Sequence, residues 1–210
     1  GGLMGVLVWT AWRRWPQLDP GQRWVGRGIG VFFGLFLVAY PMALAGQRTR
    51  LVQELPILAG TLCYLVAFSK WQSLPAARVL IRGGMILFVA MWIAAQFVQG
   101  LADNFSTVSG PIHGTMIMAA GSVTLIAHAR AGTDRWTTRA WFWVSTGFML
   151  IYGTEVLLDP LLHRIFQVRD DLGNLAFAFH QISSAIGYLL VFHGFTPAGG
   201  SGIRGRPRLG

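Results

Sequence analysis

The chain alternates between long, unbroken apolar runs and short segments that hold nearly all of its charge. Crossing the hydrocarbon of a bilayer as a helix takes about 20 mostly apolar residues. Six runs meet that length: 28–46, 51–69, 79–99, 104–129, 140–158 and 172–196. Residues 1–12, GGLMGVLVWTAW, read as the cytoplasmic half of a further helix. The runs are continuous and lack the alternating ten-residue pattern of an outer-membrane barrel. The pattern predicts an all-α, polytopic transmembrane helix bundle over 1–196, with six full spans plus a partial first span. A flexible basic cytoplasmic tail, PAGGSGIRGRPRLG, is expected to follow over 197–210.

The charged segments give this bundle a direction. Lysine and arginine accumulate on the cytoplasmic side of membrane helices. Arg13, Arg14, Arg23 and Arg27 fall in the first connection, and Lys70, Arg78 and Arg82 in the third. Arg130, Arg135 and Arg139 fall in the fifth, and Arg204, Arg206 and Arg208 in the tail. The alternate connections hold only Arg48, Arg50, Arg164 and Arg169, diluted by Asp103, Asp159, Asp170 and Asp171. Eight tryptophans, Trp9, Trp12, Trp15, Trp24, Trp71, Trp136, Trp141 and Trp143, sit near the same boundary, where indole rings anchor; Trp92 alone lies deeper. The expected topology is N-terminus out, C-terminus in.

Composition agrees with this reading and closes off others. Of 210 residues, 53% are hydrophobic and 12% charged, about half the charged share of a soluble domain. The net charge of +9 is spread over membrane-flanking loops and forms no continuous face, which argues against nucleic acid. A single cysteine, Cys63, excludes a disulfide framework and a thiolate metal site. The expected setting is a multi-pass protein of the bacterial inner (plasma) membrane, in contact with membrane lipid and a partner subunit.

The candidate chemistry lies in four histidines. His113 and His128 share the run 104–129, and His180 and His193 share 172–196. One run separates these two, so both cross in the same direction. Counted from the starts of their runs, His113 and His180 fall at one depth and His128 and His193 at another, roughly 20–22 Å below. A haem iron with two axial imidazoles needs one histidine from each of two facing helices at equal height. Ionisable residues within a membrane are functional candidates by default.

This pattern resembles the diheme transmembrane cytochromes b, including the bc-type cytochrome b and the ferric reductase and NADPH oxidase group. In those families two parallel helices each carry two histidines about 13 or 14 positions apart. The resemblance rests on His113, His128, His180 and His193 and covers only these two runs. It implies two b-type haems, ligated by His113 with His180 and by His128 with His193. Electrons would pass between the membrane faces to or from a quinone or a partner redox subunit. Gly121 and Gly187, about midway between the members of each pair, would let a porphyrin or a neighbouring helix approach closely. The spacings here are 15 and 13, which leave offsets of about 60° and 140° on an ideal helix. The second needs a distorted helix or differently placed partners.

A plainer reading stands beside it. His128 and His193 suit ordinary interfacial positions, His113 and His180 suit hydrogen-bonded core positions, and His163 suits a solvated outer loop. Glu155 and Asp159, four apart and so on one helical face, suit a proton or ligand site, the rim of a quinone pocket, or an interfacial pair. Gln96, Gln181, Ser183 and Ser184 suit hydrogen bonds between helices. Pro41, Pro56 and Pro111 fall inside predicted helices and should kink them. Lys70 is the only lysine and lies at a boundary, which excludes a retinal Schiff base in the last helix. No HExxH, GxSxG, aspartate-rich prenyltransferase or P-loop pattern occurs. The alternative function is therefore a haem-free seven-helix sensory, transport or accessory subunit. In that case Glu155, Asp159 and His180 are the expected ligand contacts.

Overall fold

In a computed structural model, which describes residues 2–46, 50–99, 109–132, 135–168 and 170–196, the apolar runs form seven α-helices. These are α1 (Gly2–Arg13), α2 (Pro20–Leu44), α3 (Arg50–Trp71), α4 (Pro75–Gln99), α5 (Ser109–Arg130), α6 (Ala140–Val168) and α7 (Asp170–Gly194). No strand occurs among the described residues. Helices are the expected solution in an apolar run, because each backbone group finds its partner within the segment.

Among the described residues, five helices are long and apolar enough to cross a membrane, over Pro20–Met42, Pro75–Phe97, Gly110–Arg130, Ala140–Leu158 and Asp171–Gly194. The sixth expected span corresponds to α3, whose 22 residues extend about 33 Å and whose side chains are described from Glu54 onward. The 12 residues of α1 extend only about 18 Å, short of a full span.

Two boundaries differ most from expectation. The helix expected from residue 28 begins at Pro20. The helix expected from residue 104 is described from Ser109 and contains Pro111, and residues 104–108 lie outside the described ones. The helix expected to end at 158 runs on to Val168. His163, expected in an outer loop, is consequently helical, although its side chain, like that of Asp159, lies outside the described ones. Residues 197–210, the expected basic tail, and Arg48 also lie outside the described residues.

The helices close into a ring. α1 packs on α2, α2 on α3, α3 on α4 and α5, α5 on α6, α6 on α7, and α7 returns to α1. The closest approach joins α6 to α7. A methyl group built on Gly147 would lie 2.6 Å from the Gly187 carbonyl oxygen, and one on Gly187 would lie 2.7 Å from that of Gly147. Only glycine lets the two backbones come this near. On the outside, α4 and α7 present large apolar side chains such as Ile86, Phe97, Leu175 and Ile182, the surface lipid would cover.

The ends that carry most of the tryptophans and arginines are tied together by polar contacts. Asp19 and Gln22 cap α2 reciprocally: the Gln22 backbone N–H donates to Asp19 Oδ1 (2.8 Å) and the Asp19 N–H to Gln22 Oε1 (2.7 Å). With Pro20 as first helical residue, this is a capping box. Asp19 also accepts from the Trp71 indole (3.1 Å). Gln22 Nε2 donates to the Gly194 carbonyl (2.7 Å) and Arg14 to that of Phe195 (2.6 Å), which satisfies carbonyls left open where α7 ends. Replacing Asp19 by alanine removes both the cap and the Trp71 contact. The expected cost is about 2 kcal/mol, read as a lower unfolding midpoint in detergent.

Candidate functional site: an aromatic chamber

A cavity of about 270 Å³ lies between the helices. Its wall takes Met4 from α1, Ile29 and Phe32 from α2, and Ile57 and Tyr64 from α3. His113 of α5, Ile151, Tyr152 and Glu155 of α6, and Tyr188 of α7 complete it. Six of the seven helices contribute, so the chamber exists only when the ring is assembled.

Glycines set the aromatic wall in place. A side chain at Gly28 would meet the Tyr64 ring, and one at Gly60 would meet the Phe32 ring. Each aromatic thus lies flat across a glycine of the facing helix. The two rings stack with centroids 6.0 Å apart and planes 10° from parallel. Tyr64 also packs on Phe148 (4.5 Å), and Phe148 on Tyr152 (5.6 Å). These contacts make α3 and α6 one continuous aromatic layer. Offset and edge-on arrangements of this kind are preferred over face-to-face sandwiches.

His113 is the most constrained polar group in the wall. Only 2% exposed, it presents its face to the Tyr152 ring edge (4.7 Å, 85°) and lies 5.8 Å from Phe32. Its Nδ1 is 2.5 Å from Thr61 Oγ1, and Thr61 Oγ1 donates to the carbonyl of Ile57 one turn back. A hydroxyl has one proton to give. With that proton on Ile57, Thr61 must accept from His113 Nδ1–H. In the neutral imidazole this leaves Nε2 as an acceptor.

The other histidines occupy separate environments. His128 Nε2 bonds the carbonyl of Trp71, the last residue of α3 (2.7 Å), and the ring stacks on Trp141 at 4.0 Å and 11°. It serves as a side-chain cap on α3. His193 meets the edge of Trp143 (4.5 Å, 77°). His180 is half-buried on α7, and its Nδ1 is buried without a hydrogen-bond partner. It does not line the chamber. Tyr188, which does, lies eight residues, about 12 Å, further along α7.

A bis-imidazole haem would need His113 to face His180, and His128 to face His193, across a gap between α5 and α7. As placed, α5 and α7 both pack on α6; His128 stacks on Trp141 of that helix and His193 packs edge-on with Trp143. The glycines expected to admit a porphyrin serve α6 as well. Gly121 backs onto Met149 and the Ser145 carbonyl, and Gly187 onto Gly147 and Ile151. The faces on which a porphyrin would lie are thus occupied. Among the described residues, no group of three or more histidine, cysteine or acidic side chains is placed to hold a metal ion.

Pattern reading passes over Thr61 and Gln72, and it leaves Glu54 at the outer boundary within reach of Arg48 and Arg50; Thr61, Gln72 and Glu54 all prove central. Glu54 is fully buried and accepts at Oε2 from Trp92 Nε1 (3.1 Å) and Gln96 Nε2 (3.2 Å), which ties α3 to α4. The one tryptophan set apart from the boundary belt is there to serve this carboxylate. Gln72 Nε2 donates to Thr124 Oγ1 (2.6 Å) and joins α3 to α5. Near His180, Ser183 is buried and Gln181 exposed. The signal for Glu54 and Thr61 was present in the sequence, as polar residues seven apart on one face of an apolar run. No family model, no curated protein and no solved structure matches this chain, so its reading rests on its own residues.

Proposed function

We propose that this chain is a haem-free, multi-pass membrane subunit that binds a small molecule inside its helix ring, in a sensory, transport or accessory role. The chamber carries this reading. It draws its wall from six helices, holds an imidazole oriented by Thr61, and is close in size to the lower limit of known ligand sites, about 300 Å³. Binding there would couple to the packing of nearly every helix, as a sensor or carrier requires. Glu155 belongs to this site, whereas His180 stands about two turns above it.

The positive and aromatic end of the bundle supports an outward N-terminus and an inward C-terminus, with α3 as the sixth full span. The same charge pattern supports a bacterial inner membrane, with lipid around α4 and α7 and a partner subunit to receive the signal or cargo. The competing proposal is an electron relay with two b-type haems and a quinone as exchange partner, and it requires α6 to withdraw from between the histidine pairs.

One preparation separates the two. A neutral probe, benzyl alcohol, is expected to raise the unfolding midpoint of the purified protein in detergent. It should not do so for Ile57→Trp, which fills the chamber. The reduced-minus-oxidised spectrum is expected to be featureless. A sharp α-band of bis-imidazole haem, lost in part on replacing His113 or His180, would sink the chamber reading in favour of the relay.

A further inference from the structure

The chemistry of the wall narrows what the chamber takes. Four aromatic rings, Phe32, Tyr64, Tyr152 and Tyr188, line it. Aromatic faces are negative and attract cations, most strongly where water is excluded. Glu155 and His113, set among them, have the same sign of preference, while the three tyrosine hydroxyls can donate or accept. Glu155 brings a carboxylate, an acceptor only when ionised. His113 spends its Nδ1–H on Thr61, so its remaining ring nitrogen offers a lone pair. Among the described residues that line the chamber there is no lysine or arginine. Such a wall welcomes a donor with positive charge and offers an anion no cationic partner.

Size sets the second limit. A cavity of about 150 Å³ accommodates benzene, so about 270 Å³ admits one ring or a comparable branched apolar body with a short charged arm.

Building on the chamber reading, we propose that the ligand is a small organic amine, bound as its ammonium ion. Its apolar body lies against Ile29, Ile57 and Ile151. Its N–H groups are directed at Glu155 and His113 Nε2, and its charge is flanked by the tyrosine rings. A quinol or another neutral hydroxyl compound would satisfy the acceptors without using the rings or the carboxylate charge, and it appears below as an outcome of the test.

The test compares three probes that share one ring: benzylammonium, benzyl alcohol and benzoate. Each is titrated into the intact protein in detergent micelles at pH 7, with Ile57→Trp as the blocked control. Benzylammonium is expected to bind at least tenfold tighter than benzyl alcohol, a difference of about 1.4 kcal/mol, and benzoate not at all. Glu155→Gln should abolish most of that preference, because the amide keeps an acceptor oxygen but loses the charge. Tyr188→Leu should weaken benzylammonium more than benzyl alcohol. If benzyl alcohol binds as tightly as benzylammonium and only the blocked variant loses it, the amine inference falls and the chamber reading stands. If benzoate binds best, the amine inference falls in the same way. If no probe distinguishes wild type from Ile57→Trp, both fall together.

Discussion

Gly147→Val is expected to force α6 away from α7 and lower stability by on the order of 3 kcal/mol. Even the first carbon of a side chain at Gly147 would lie 2.6 Å from the Gly187 carbonyl oxygen, and that atom is backbone, which cannot swing aside. Valine adds two further methyl groups at the same point. The helices must then separate along their whole contact, which also carries Gly194 against Ala140 and Val144. Tyr188 follows Gly187 directly, so the chamber wall shifts with it and probe binding is lost. Gly34→Ala is the control, because a methyl group there meets nothing within 4 Å. Alanine relieves the backbone entropy cost of a helical glycine, so this variant is expected to gain roughly 0.5–1 kcal/mol. Thermal unfolding of both in detergent micelles gives the comparison. Equal effects from the two substitutions would mean that the α6–α7 approach does not hold the bundle together.

The double substitution Trp92→Phe with Gln96→Leu is expected to cost on the order of 4 kcal/mol. It removes two donors from a carboxylate that has no exposure to solvent, and hydrogen bonds to a charged group contribute about 1.5–3 kcal/mol each. Adding Glu54→Leu to the pair should restore most of the loss, since an apolar replacement of a whole buried polar group is often neutral. The diagnostic outcome is the triple variant being more stable than the double. If the triple is instead the least stable, the Glu54 carboxylate contributes through contacts beyond Trp92 and Gln96, and its role is not confined to joining α3 to α4.

How far these features could be read in advance varies with the physics behind each. The apolar runs announced the helices because burial in lipid demands long continuous stretches, and α3, α4 and α7 appear close to where the hydropathy put them. The box at Asp19, Pro20 and Gln22 was found only in the structure, although capping depends on residues three apart. The start of α2 at Pro20 and the end of α6 at Val168 were misplaced, because hydropathy does not register where a helix actually begins or ends.

The rotation of each helix was the least legible property of all. In a soluble bundle an apolar stripe marks the buried side. Here both sides are apolar: Phe88 and Phe148 are fully enclosed, whereas Phe97 and Phe179 face outward, and nothing in their identity separates them. Lipid is as apolar as the interior, so small residues and hydrogen bonds, not hydrophobicity, choose which faces meet. Gly28, Gly60, Gly147 and Gly187 make that choice here, together with the contacts of Glu54, Thr61 and Gln72.

The amino-acid sequence by itself determined that the chain is helical and apolar enough to cross a membrane repeatedly, and it gathered arginine and tryptophan at alternate connections. These properties depend on length and composition alone. Only the tertiary structure decided that α6 stands between the two histidine-bearing helices, that His113 is turned toward Thr61, and that three tyrosines and a carboxylate share one chamber. Those facts depend on which faces of equally apolar helices meet, and that is decided by contacts between residues far apart in the chain.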